Sequence, residues 1–198
     1  MLDYWFGDAV RDPAFAEARE GFWFGASEET DAAIRERFGP AIEAAARGEL
    51  AHWADDPPSA LALVVLLDQF SRNTWRGTAR AFALDRKALE VARGALAAGH
   101  LEQLAPLEQA FLILPFQHCE SIEVQRESVR LSAEIASAAP PAWRPLLEYY
   151  TDFARRHLAL IERFGRFPHR NQVLGRESTP DERDYLRGGG ATFGQAAR

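Results

Sequence analysis

The chain has 198 residues, 47% of them hydrophobic and 26% charged, the balance of an ordinary soluble globular protein long enough for one domain with a sizeable core. A net charge of −6 excludes a global basic footprint for nucleic acid, and the longest apolar run, Ala60 to Leu67, is far short of the roughly 20 residues that span a bilayer. Lone Cys119 excludes an intramolecular disulfide and suits a reducing cytosol, and the acidic N-terminus lacks the basic start of a signal peptide, so the expected location is cytoplasmic.

Helical spacing dominates, and no segment sustains the strict alternation that marks a strand. Ile34, Phe38, Ile42 and Ala45 form the first stripe, with Gly48 near its end. After Pro57-Pro58, the segment Ser59 to Phe70 is apolar on nearly every face and belongs at the centre of a bundle. Ala79 to Ala98 is rich in helix formers and ends before Gly99. Leu104, Leu107, Phe111 and Leu114 give the next stripe, disturbed by Pro115. Val124, Ser128, Leu131 and Ile135 mark another helix, and Ala138 to Pro141 a turn.

The clearest helix runs from Trp143 to Phe164, with Gly165 where a left-handed cap belongs and Pro168 beyond it. Phe167 to Glu177 reads as an ordered loop. A short helix then starts with Thr179 as N-cap, Pro180 at N1 and Glu182 at N3. Trp-Phe-Gly occurs at 5–7 and 23–25, but no fixed period makes a repeat array. The expected fold is all-α, a compact stack of seven or eight helices in antiparallel hairpins with under 5% strand. One helical domain spans 1–187, and 188–198 form a flexible tail.

Three segments place costly polar residues among apolar ones. In Leu66 to Gly77, Asp68 ends an apolar helix and needs a partner, which Arg72, four residues on, can supply if the helix continues. Arg72 and Arg76 then lie four apart with like charge, which calls for an anion or a carboxylate between them. In Leu114 to Ser121, His118 and Glu120 flank Cys119. An imidazole beside a carboxylate suits acid/base work near neutral pH, whereas adjacency alone is weak support for a thiol nucleophile. Arg163 to Arg176 holds four Arg and one His and no acid, a local excess in an acidic chain. Arg binds phosphate or carboxylate through its planar fork, but internal ion pairs would use the same residues. His118, Glu120, His169 and Asp68 have no recognised metal-ligand spacing, so no metal or cofactor is expected.

These segments also carry a resemblance. Leu2 to Gly7, Trp23-Phe24, Leu67 to Asn73 with Arg76-Gly77 and Ala81-Phe82, Leu114 to Glu120 with Gln125, and Arg163 to Asn171 with Leu174-Gly-Arg176 and Ser178-Thr179 are similar to the motifs of DUF924. That is a bacterial family of uncharacterised proteins. The similarity covers nearly the whole chain and implies a TPR-like helical fold. It implies no activity or cofactor, and Cys119 stands where the family more often has Ser, which further weakens a thiol mechanism.

The functional expectation is a pocket, formed where the three polar segments meet, that binds a small phosphate- or carboxylate-bearing metabolite. Arg72, Asn73, Arg76, Arg166, Arg170, Asn171 and Arg176 are the ligand-binding candidates. His118, Glu120, His169 and Asp68 are the candidates for acid/base catalysis. Of the two central arginines, Arg166 at the helix end is expected to be structural and Arg170 to face the pocket. The competing reading is a helical adaptor that takes a peptide or partner protein in a groove. No nucleic-acid or membrane partner is expected, and the oligomeric state stays open.

Overall fold

Helices form where the chain supplies both a cap and an apolar stripe. The computed structural model describes residues 1–194. Helix α1, Leu2–Phe6, leads through a 3-10 turn into α2, Pro13–Phe24, where the Asp12 carboxylate accepts from the Ala14 amide at 2.8 Å and Pro13 needs no partner. Trp23 Nε1 and Arg19 Nε both donate to the Trp5 carbonyl at 2.8 Å, which locks α2 on α1. The two Trp-Phe-Gly tripeptides therefore meet, and Trp5 and Trp23 both pack on the Phe111 ring, at 6.0 and 5.0 Å.

Helix α3, Glu28–Arg47, starts at Ser27 and stops at Gly48, whose φ of 86° is the left-handed cap. Helix α4, Pro57–Val64, then runs into a π-helical turn, Val65–Phe70, and a last short turn, α5, Ser71–Thr74. Every residue from Ala60 to Thr74 is buried, as the all-round apolar pattern predicts. The next helix, α6, Asp85–Ala97, begins later than its composition suggests. Ala79–Phe82 forms a 3-10 turn instead, and the Ala81 carbonyl accepts from Arg72 Nη1 at 3.2 Å rather than from a following helix amide.

Helices α7, Pro106–Leu112, and α8, Leu114–Gln117, are separated just before Pro115. Helix α9, Ile122–Ala138, turns at 139–143 and α10, Arg144–Phe164, packs back along it. Gly165 (φ 70°) caps α10. Residues 166–179 form an ordered loop, and α11, Pro180–Arg187, carries the expected capping box: Thr179 N–H to Glu182 at 2.7 Å and Glu182 N–H to Thr179 Oγ1 at 3.2 Å.

The described residues contain no strand, and the fold is all-α. The expectation of seven or eight helices falls short: α2, of 12 residues, and the short α1, α5 and α8, of 5, 4 and 4, belong to no stripe read from the sequence. Among the described residues no helix is long and apolar enough to cross a membrane. The main core runs from Trp5 to Leu147, and Leu160, Ile161 and Phe167 form a second cluster at the end of α10. Residues 191–194, part of the expected tail, return to the body: Phe193 stacks on His157 at 3.7 Å and the Gly194 carbonyl accepts from Arg76 Nη1 at 2.7 Å. The rest of that tail, 195–198, lies outside the described residues.

Candidate functional site

Asp68 sits inside the π-helical turn, where one extra residue per turn widens the helix. Its side chain is fully buried and accepts from Gln69 Nε2 at 2.6 Å, His118 Nδ1 at 2.7 Å and Arg72 Nη2 at 3.2 Å. Burial alone raises a carboxyl pKa, but the facing His118 and Arg72 offset it and hold Asp68 well below the usual carboxylate range. Asp85, at the start of α6, continues the chain of charges. It accepts from Arg72 Nη2 at 2.9 Å and from Arg170 Nη1 at 3.2 Å. Carboxylates and guanidiniums thus alternate, Asp68, Arg72, Asp85, Arg170, across three distant parts of the sequence.

His118 donates from Nδ1 to Asp68, the only arrangement in which an anionic oxygen can accept. Its Nε2 makes no hydrogen bond among the described residues and keeps a lone pair. Burial holds the ring below its ordinary pKa, so it is neutral near pH 7. His157 donates from Nδ1 to the Phe153 carbonyl at 2.8 Å. Burial, with His118 nearby, lowers it to about 3. Burial and the charges of Arg170 and Arg72 lower His169 to about 3 as well.

Arg72, Arg170 and the three imidazoles border a cavity of about 440 Å³, within the usual range for a small-molecule site, with Asp68 and Asp85 behind them. Gln69, Arg72, Gln117, His118, His169 and Arg170 line one part. Trp23, Phe111, Leu147, Tyr150 and Phe153 line another, and half-exposed Phe24 and Tyr149 stand where it opens to solvent. Phe193 and Gly194 lie across it.

Arg170 has donors to spare. Its guanidinium lies 4.4 Å from the Phe167 ring and 4.6 Å from the Phe82 ring, so two aromatic faces hold it. Only the 3.2 Å bond to Asp85 uses its five N–H groups among the described residues, and its Nε is buried without a partner. Burial, which outweighs the attraction of Asp85, lowers its pKa to about 10. An undersolvated cation with free donors gains from an arriving anion.

Asn73 and Arg76 also line the cavity, but both are committed to Asp31: Asn73 Nδ2 at 2.8 Å, Arg76 Nε at 2.6 Å and Arg76 Nη2 at 2.9 Å. The like-charged pair Arg72 and Arg76 is thus neutralised by separate carboxylates.

Five sequence candidates do not line the cavity. Asp68 lies behind Gln69, Arg72 and His118, which all donate to it. Glu120 pairs with Arg176 at 2.6 and 3.0 Å and accepts the Phe167 amide at 2.8 Å. Arg166 forms a forked pair with buried Glu182 at 2.7 and 2.8 Å, and Asn171 bridges Glu182, Ser178 and Arg176. These residues tie the loop and α11 together. Among the described residues no three His, Cys, Asp or Glu side chains group as metal ligands. Burial raises the Cys119 thiol pKa, the opposite of what a nucleophile needs.

Sequence reasoning missed His157, Asp85, Asp31 and the aromatic wall. His157 had a signal: it lies three after Ala154 and four after Phe153, on the apolar stripe of α10, though Arg155 and Arg156 disguise it. Asp85 had none, because its partner Arg170 is 85 residues away.

A family model described as a bacterial protein of unknown function (DUF924) matches residues 1–190. A solved structure of a protein of unknown function from Agrobacterium tumefaciens, ATU0120, is 38% identical, covering 89% of this chain and 98% of its own, with a TM-score of 0.75. No curated protein matches the chain.

Proposed function

The chain belongs to DUF924, whose members have no known function, and on the geometry of its cavity we propose that it binds a small phosphate- or carboxylate-bearing metabolite there. The observation that carries this reading is Arg170: buried, clamped between two rings, lining the cavity, with most of its donors unused. His118 is the acid/base candidate. Asp68 orients its ring and leaves Nε2 bare to take a proton from a bound molecule. Asp68 itself is a positioning residue. The same reading places the protein in the cytoplasm, which its lone cysteine suits.

An adaptor reading has one feature in its favour, the chain's own Phe193 and Gly194 across the cavity, with a main-chain carbonyl held by Arg76. The deep placement of Gln69, Arg72 and Arg170, all buried, supports a small molecule over a peptide.

Thermal shift with phosphate, sulfate, acetate and octanoate at fixed ionic strength tests the proposal, since a binder of the native state raises the melting temperature. Arg170→Gln is expected to fold, because Asp85 keeps its 2.9 Å bond to Arg72, and to lose the response. Arg166→Gln, which takes the forked partner from Glu182, is expected to melt lower yet still respond. No response from the unaltered protein, or equal and large destabilisation by both substitutions, overturns the ligand role of Arg170.

A further inference from the structure

We propose that the molecule taken by this cavity is an amphipathic monoanion, a carboxylate on an alkyl or aryl body, rather than a phosphate dianion; this rests on the reading of the cavity as an anion site. Two independent features lead there. The first is the wall. An anion site for a small polar metabolite needs donors on every side, yet Trp23, Phe111, Ile135, Leu147 and Phe153 offer none at all or only an indole N–H already donated to Trp5, and the hydroxyls beside them are those of Ser132 and of Tyr150, which faces Glu20. A polar body against these side chains would lose its water without replacement hydrogen bonds. An alkyl or aryl body gains there from the burial of apolar surface.

The second feature is the charge count. Arg72 and Arg170 face Asp68 and Asp85, and Arg76 faces Asp31. Every guanidinium lining the cavity is already matched by a carboxylate. The site therefore has spare hydrogen-bond donors but no spare positive charge. One added negative charge is spread over the unused N–H groups of Arg170 and the amides of Gln69 and Gln117. A second has no counter-charge, and burying it unpaired is costly. Glu20, on the aromatic part of the lining, adds further repulsion for a dianion.

The geometry also sets the direction of binding. The head lies against Arg170, beside His118, and the apolar body runs along Phe111 and Phe153 toward half-exposed Phe24 and Tyr149. That explains why two large aromatic residues remain open to solvent at this one place.

Calorimetric affinities for straight-chain carboxylates from acetate to decanoate, their primary amides, and the matching alkyl phosphates test the inference. The expected result is a gain of about fourfold per added methylene that levels off once the cavity is full. Amides of equal length bind at least tenfold more weakly, and alkyl phosphates no better than carboxylates. Tyr149→Ser, at a half-exposed position that leaves the core intact, flattens the length dependence, while Arg170→Gln removes the preference for the charged head and keeps the length dependence. Equal, weak binding of all carboxylates whatever their length overturns the amphipathic ligand and leaves the anion site standing. Tighter binding of the phosphates overturns the single charge. Amides that match the carboxylates overturn both this inference and the anion reading beneath it.

Discussion

His157, buried, and His169, partly buried, carry no charge, and that has a price in acid. Each ring in the folded protein accepts a proton only near pH 3, against an ordinary value of 6.5. Between those values the unfolded chain binds more protons than the folded one, so stability falls as pH drops below 6.5. Between pH 6.5 and about 5 the loss is about 2 kcal/mol for each ring. Asp68 adds to it lower down, since its stabilisation is present above the ordinary carboxylate range and is lost as pH falls toward its depressed folded value. Urea midpoints at pH 7 and 5 are expected to differ accordingly, and His157→Phe to shrink the difference. An unchanged difference would mean that His157 is not buried neutral. Individual residues were unevenly legible. Asp68, Arg72, His118 and Arg170 stood out because each is polar in an apolar context. Glu120, Arg166 and Arg176 stood out for the same reason, yet they close ion pairs around the loop and α11, with the Asn171 amide bridging them by hydrogen bonds. A charged residue that must be paired looks the same in sequence whether its partner is a ligand or a carboxylate far along the chain.

At the scale of elements, ends were easier to read than interiors. Gly165 and the Thr179–Glu182 box lie where expected because caps depend on a few adjacent residues. A Cβ at Gly165 meets no heavy atom within 4 Å, so Gly165→Ala isolates the backbone cost of a φ of 70°. About 1 kcal/mol is expected, a fall in melting temperature of roughly 2–4 °C, measurable by circular dichroism. A larger fall would point to a rearranged loop after α10. The π-helical turn at 65–70 was illegible for a definite reason. A segment apolar on every face has no stripe, and without a stripe a one-residue slip in the helix leaves no trace in the pattern. The late start of α6 was hidden likewise, since nothing local says that the Ala81 carbonyl is turned toward Arg72.

At the scale of the whole molecule, the all-α class followed from periodicity, whereas the cavity did not. Its walls come from α2, the π-helical turn, α5, α7, α8, α9, α10 and the loop beyond it, and only packing brings them together. The segment that crosses the cavity has a consequence in time rather than in affinity. Phe193 adopts a φ of 50°, uncommon for a residue with a side chain, and Gly194 approaches so closely that an added Cβ would lie 2.7 Å from the Phe24 carbonyl oxygen. Phe193 and Gly194 form one side of the cavity, so lifting this strap adds a second way in and out beside the opening at Phe24 and Tyr149 and quickens exchange in both directions. Phe193→Ala removes the ring that seats the strap on His157. Stopped-flow exchange of a long-chain carboxylate is expected to speed up on entry and exit alike, with the equilibrium constant nearly unchanged. Faster exit alone would make Phe193 part of the binding wall. With the strap intact, entry and exit are slowed by the same factor, so a bound molecule stays longer although the ratio of its two rates, and with it the affinity, is unchanged.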